Sequence, residues 1–371
     1  MKYKNNFTYE MTANMKQELY RVKSHVNKVK KADSIVIPFI TDTHAGINNR
    51  NLGFLKKTGY DHMQSVVNLT KILECDYVVH GGDIIDGSSI TVGEAKQSLS
   101  EFINIMNKID VPVFAMKGNH DDNSLGDAYD KQDLSGVISF SDLKSYVFDQ
   151  SLHKGNLIVN KDDPEGAYGY YDDTKNKIRV LFFDSFNTKQ KMNGKQYAFP
   201  LVSSKGWFAN TQLNWIANAM KAIPKGYKSL IFSHTGIVDY RDTTSKIHPE
   251  VINAEAVQAL IKGFESGSKV LYEGKNKDFP ISLNIDFEGV KTQTYAWING
   301  HVHGDHFKKI PQTQVSSIAT LCSKPDPTET YQYRKFGTIY EDSFSVLVLT
   351  PSTKTLDIIR FGAGSSYSLS L

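Results

Sequence analysis

Five short blocks of side chains that bind metals or move protons stand out in the sequence, and each closes an apolar run. "SIVIPFI" leads into Thr41-Asp42-Thr43-His44, and "YVVH" into Gly81-Gly82-Asp83-Ile84-Ile85-Asp86. "VPVFAMKG" finishes in Asn119-His120-Asp121-Asp122, "SLIFS" in His234, and "YAWIN" in Gly300-His301-Val302-His303. A turn needs Gly and Asn, but it does not need a His with carboxylates beside it. Imidazole and carboxylate donors suit Zn, Fe and Mn, and the lack of cysteine among them argues against a structural Zn site. Two adjacent cations need a bridging anionic oxygen, which a carboxylate such as Asp83 supplies. Glycines ahead of Asp83, Asn119 and His301 permit tight turns where main chain approaches the ions. Val302 between two histidines lets both rings leave one extended segment on the same side.

Side chains from such distant blocks meet only if the elements bring them together. Short β-branched runs at 34–40, 77–80 and 111–116 alternate with helical patterns at 60–74 and 92–109. This β-α-β-α-β order predicts parallel strands with crossover helices, whose carboxyl ends form a common crevice. Further strands are expected at 178–184, 228–233 and 294–298, a hairpin at 344–350 and 355–361 turning at "PSTK", and a helix at 210–222. Ahead of them, residues 9–31 carry Met15, Leu19, Val22, Val26 and Val29 on one helical face. Packing on its own domain is the simpler use of that face, and an oligomer contact is the competing one. The division expected is a helical extension over 1–32 and a single domain over 33–371, elaborated around 236–292, where a helical piece lies near 251–264.

The bulk numbers agree with an ordinary globular chain. Its 371 residues are 40% hydrophobic and 22% charged, and the net charge of +3 makes no case for nucleic acid as a structural partner. Cys75 and Cys322 are the only cysteines and read as free thiols. The first residues lack the apolar core of a secretion signal and no run reaches membrane-spanning length, so a soluble, cytoplasmic protein with no membrane partner is expected.

"DTH", "GGDIID", "GNHD", a lone His after a strand and "GHVH", in that order from about residue 34 to 306, resemble the calcineurin-like metallophosphoesterase superfamily. The resemblance implies an α/β fold, a four-layer α/β/β/α sandwich of two mixed β-sheets flanked by helices. It implies two divalent transition-metal ions, Mn, Fe or Zn. Asp42, His44, Asp83 and His303 would hold one, and Asp83, Asn119, His234 and His301 the other. A hydroxide between the ions would attack phosphorus in line with the leaving oxygen. His120 would face the leaving group as general acid or as a charge-stabilising donor, its ring oriented by Asp86, with Asp121 as the rival for the orienting role.

Departures from the pattern narrow the branch. Protein Ser/Thr phosphatases carry Arg and Glu where this chain has Gly87 and Asp121. "GNHD" and "GHVH" are more similar to bacterial and phage-type phosphodiesterases, so the expected substrate is a phosphodiester before a phosphomonoester. Nucleic acid enters only as a substrate, through the superfamily's nucleases. A non-catalytic binding or structural protein on the same fold is the competing class, but such relatives usually lose a ligand or the acid His, and none is missing here. Other residues have plainer uses. His80 reads as a packed core histidine, His306 as a solvated loop residue, and Leu213 and Trp215 as a helix's core face. His25, His62, His153 and His248 have no motif around them, while Asp184 and Asn187 follow a strand and are candidates to line the cleft.

Overall fold

The computed structural model describes residues 11–46, 59–87, 91–124, 134–187, 190–193, 196–199, 206–290, 292–320 and 338–371. Cys75 is a half-buried free thiol, and Cys322 lies outside the described residues.

Strands β1 (Ile35–Ile40), β2 (Val78–His80) and β3 (Val113–Ala115) run parallel, as the alternating order predicts. A hairpin of β15 (Ser343–Thr350) and β16 (Thr355–Gly362) lies antiparallel beside β1, and β17 (Tyr367–Ser370) forms the edge. The second sheet centres on parallel β6 (Ile178–Phe183), β9 (Lys228–Ser233), β12 (Thr294–Asn299) and β14 (Ser316–Ala319). Antiparallel β13 (His306–Lys309) lies outside β14, and β5 (Gly169–Asp173) then β4 (Ile158–Val159) lie outside β6. Two hairpins stand apart from these sheets: β7 (Lys191–Asn193) with β8 (Gln196–Phe199), and β10 (Lys269–Glu273) with β11 (Ser282–Asp286).

Three apolar interfaces make four layers. Ile35, Ile37, Phe39 and Val79 of the first sheet pack against Val180, Phe182, Leu230 and Phe232 of the second. The other face of the first sheet, with Val36, Val78, Val346 and Ile359, is covered by helices α1 (Ala13–Val29), α2 (Gly59–Thr70), α3 (Val92–Met106) and α4 (Phe140–Val147). The short α5 (Gln150–His153) follows α4, and α6 (Asn210–Lys221) and α7 (Ala254–Ser266) cover Leu181, Phe183, Ile231 and Trp297 of the second sheet. Strand side chains alternate between faces, so β1 must be apolar on both: Ile35, Ile37 and Phe39 point between the sheets, Val36 and Ile40 toward helices. This is the expected four-layer α/β/β/α sandwich.

Helix α1 begins at Thr12, whose hydroxyl accepts from Met15 N at 3.2 Å as an N-cap. Its face of Met15, Leu19, Val22 and Val26 is buried on β15 and β16 of its own chain. Between 236 and 292 the expected helix is α7, but β10 and β11 were not foreseen. Among the described residues, no helix is long and apolar enough to cross a membrane.

Candidate metal centre

Loops at the carboxyl ends of β1 and β2 are laced together: Asp42 N donates to Gly82 O at 2.9 Å, His44 N to Asp83 O at 3.0 Å, and Ala45 N to Ile84 O at 2.8 Å. From the second sheet, His301 N donates to both Asp42 carboxylate oxygens at 3.1 Å, while on the first sheet's side Thr41 Oγ1 donates to Asp42 Oδ2 at 2.6 Å. A Cβ on Gly118 would collide with Asp83, and one on Gly300 with Thr41 and Asp42, so only glycine lets these loops close. Five expected ligands adopt left-handed backbone, with φ of 53° at Asp42, 44° at His44, 49° at Asp83, 70° at His301 and 51° at His303. A left-handed residue other than glycine costs roughly 1–2 kcal/mol, and such strain clusters at functional sites. The expected extended segment through His301 and His303 is therefore a tight turn; β12 ends at Asn299.

The ligand atoms converge. His44 Nε2 lies 3.4 Å from His303 Nε2 and 3.6 Å from Asp83 Oδ2, and His303 Nε2 lies 3.3 Å from Asp42 Oδ1. His234 Nε2 lies 3.3 Å from Asp83 Oδ2 and 3.2 Å from Asn119 Oδ1. Donors about 2.1 Å from an ion sit roughly 3.0–3.4 Å from one another in an octahedral or tetrahedral shell. The observed spacings match edges of such a shell, and most are too long for good hydrogen bonds. One group of Asp42, His44, Asp83 and His303 and another of Asp83, His234 and His301 each gather their ligand atoms within 4.8 Å, with Asp83 common to both. The residues present fit two cations.

Electrostatics favour positive charge here. Burial alone would raise the Asp83 carboxyl, but His234, His120 and His44 outweigh it and hold the group well below the usual carboxylate range. Asp42 is likewise lowered against its burial by His303 and His234. Burial would lower His234, yet Asp83 and Asp42 raise it to about 9. Burial, aided by the His234 charge, brings His301 down to about 3. Gly81 O lies 2.8 Å from His234 Nδ1 and fixes that ring with Nε2 facing the site.

All seven expected ligands come together, as do His120 and Asp86. One contact differs from expectation. His120 Nδ1 is 2.9 Å from the main-chain oxygen of Asp86, whereas the Asp86 carboxylate lies 3.8 Å from His44 Nδ1. The ring is anchored by a peptide carbonyl that side-chain identity does not reveal. The rival Asp121 accepts from Gly118 N at 2.7 Å and Ile85 N at 3.0 Å, so it ties two loops together. Burial and the Asp83 charge push its carboxyl up to about 7.

His80 is the expected core histidine, fully buried against Phe102 with Thr43 Oγ1 3.1 Å from Nε2. His306 opens β13 instead of lying in a loop, its ring 5.3 Å from that of Tyr240. His62, which has no motif, is buried with Nδ1 2.8 Å from Asp342 Oδ1. Three contributors were not foreseen: Thr41, which orients Asp42; Phe186, whose ring lies 5.8 Å from His234 and 6.1 Å from His301; and the buried Lys117. Only Lys117 had a signal, a lysine sealed between an apolar run and a glycine.

A two-sheet sandwich that gathers Asp, Asn and His at its strand ends around one shared carboxylate defines a class of metal-dependent phosphoesterases. The family model for the calcineurin-like phosphoesterase matches residues 35–305, and the chain belongs to that family, whose members use two divalent metal ions. Over 136 residues it is 27% identical to the DNA double-strand break repair protein Mre11 of Nanoarchaeum equitans, an alignment covering 37% of this chain and 32% of that protein. The chain thus matches about a third of the length of this curated relative. A dimetal phosphatase from Danio rerio has a similar structure, with a TM-score of 0.58 at 13% identity, covering 91% of this chain and 98% of the other. A purple acid phosphatase from yellow lupin (Lupinus luteus) seeds has a TM-score of 0.47 at 11% identity, covering 92% and 54%.

Proposed function

We propose that the chain hydrolyses phosphodiesters, with phosphomonoesters as poorer substrates. The observation that supports phosphoester hydrolysis most directly is the convergence of imidazole nitrogens at 3.3–3.6 Å on Asp83 Oδ2 and Asp42 Oδ1, with Asn119 Oδ1 3.2 Å from His234 Nε2; the diester preference rests on the "GNHD" and "GHVH" blocks. In this reading Asp42, His44, Asp83 and His303 hold one divalent ion, and Asp83, Asn119, His234 and His301 the other. Ions held there would supply Lewis acidity, making water a better nucleophile toward phosphorus and offsetting charge on the phosphoryl oxygens. His120 gives its Nε2 proton to the leaving oxygen as the P–O bond breaks, while the Asp86 carbonyl beside Nδ1 keeps the ring turned toward the site. The ring is only half-buried and open to substrate.

The test compares bis(p-nitrophenyl) phosphate with p-nitrophenyl phosphate in the presence of Mn²⁺. Faster turnover of the diester is expected, and cleavage of the monoester alone would overturn the preference. His120→Ala should lower kcat by about 10²–10⁴-fold. Wild-type rates in that variant would remove its role as acid. The match to a DNA double-strand break repair protein favours DNA as a second substrate to assay. Absence of turnover on every diester and monoester, in protein that takes up Mn²⁺, would point to the non-catalytic reading.

A further inference from the structure

Lys117 stands between the apolar strand β3 and the loop that carries Asn119 and His120, and it is only 1% exposed. Its Nζ lies 2.9 Å from Asp184 Oδ2, donates to Phe186 O at 3.2 Å, and sits 3.5 Å from the centroid of the Phe140 ring. Asp184, equally buried, also accepts from Ala167 N and Phe186 N, each at 3.0 Å. Gln212 clasps its main chain, donating to Asp184 O at 2.9 Å and accepting from Asp184 N at 2.8 Å. One ammonium therefore joins the first sheet, through β3, to the second, through the end of β6.

A buried ion pair stabilises a fold little more than apolar side chains of similar volume, so stability is a poor reason for this one. Its position suggests another. Asn119 follows Lys117 by two residues, and Phe186, whose carbonyl Lys117 holds, packs its ring on both His234 and His301. Loops 117–121 and 184–187 are thus the two walls between which one group of donors is set. The carboxylate of Asp184 also offsets a positive charge that would otherwise oppose a nearby cation.

We propose that Lys117, paired with Asp184, is a positioning residue for the subsite of Asp83, Asn119, His234 and His301. This inference rests on the metal-site reading above. The contacts of the pair run to Phe186, Ala167 and Gln212, on the side of the Asn119 and His234 donors, so the larger effect is expected at that subsite and the smaller at the one that includes His44 and His303.

The test is calorimetric titration of Mn²⁺ into the full, chelator-stripped chain. Lys117→Met alone leaves Asp184 buried without its partner, so the double variant Lys117→Met/Asp184→Asn, which removes both charges, is measured beside it. Circular dichroism melts establish folding. The expected result is one Mn²⁺ weakened about 10–100-fold, the usual cost of losing a group that orients metal ligands, and the other, which shares Asp83, weakened clearly less. Both affinities within twofold of wild type, or both weakened equally, would overturn the proposal. So would a double variant that does not fold, which would assign the pair to stability. Wild-type protein that takes up no Mn²⁺ would remove the metal site itself, an outcome distinct from any difference between variants.

Discussion

His234 carries the proton that a cation would replace. Its Nε2 faces Asp83 and Asn119, and the neighbouring carboxylates raise it from an ordinary 6.5 to about 9. Near neutrality the ring of the metal-free chain is therefore charged. Binding an ion at Nε2 must release about one proton, and affinity must increase as the pH rises toward that value. Calorimetry at pH 7.5 in buffers of different ionisation enthalpy reads this directly, and uptake without proton release would contradict the assignment of His234. The stability linkage has a matching sign. A folded-state value above the unfolded one stabilises fully below about pH 6.5 and is lost as the pH rises through about 9, so stripped protein should melt lower at pH 10 than at pH 7. At this scale much was legible: residue type puts Asp42, His44, Asp83, Asn119, His234, His301 and His303 among the possible donors, and the family resemblance is what sorts them from His120, Asp86 and Asp121. The anchoring of His120 by a main-chain oxygen was not, since every residue carries that group. Nor was the turn at His301 and His303, both left-handed, where His301 N is bonded to Asp42 from the other sheet.

Helix α1 is part of the body of the fold. Glu18, almost fully buried, accepts from Gly362 N at 3.1 Å and from Arg21 at 2.6 Å, and Arg21 reaches Arg360 O at 2.5 Å. Arg360 in turn donates to Asp305, two residues beyond His303, and to Ser345 Oγ at 2.9 Å. The helix thus supports the strand that supports a ligand loop. Leu19→Ala should cost about 2–5 kcal/mol in denaturant unfolding, as expected for a leucine removed from a packed core. We expect sedimentation to give the same mass for both proteins, because that face is covered by the chain's own β15 and β16. A change in mass would favour the oligomer reading of residues 9–31. Elements buried on both faces, such as β1, β6, β9 and β12, were readable as apolar runs. Strands β10 and β11 were missed because "KVLYE" and "SLNID" leave every other position exposed, Leu271 included, and become strands chiefly by pairing with each other. β17 escaped for the same reason, as an edge strand of alternating small polar residues.

Each expected cation takes donors from both sheets of the sandwich. Asp42, His44, Asp83 and Asn119 follow strands of the first, and His234, His301 and His303 follow strands of the second. Ions bound only by the assembled fold stabilise it by mass action, about 2.7 kcal/mol for a site at one hundred times its Kd. Chelation should therefore lower the thermal midpoint, and re-adding Mn²⁺ should restore it in a concentration-dependent way. An unchanged midpoint across a hundredfold range of Mn²⁺ would count against ions that bridge the sheets.

The sharing of Asp83 between the two groups of donors leads further. A polypeptide cut between its N-terminal and C-terminal halves would leave four donors on one fragment and three on the other, with neither able to complete a shell. Catalysis from such pieces would appear only on mixing, and its recovery would report how fast the severed halves find each other.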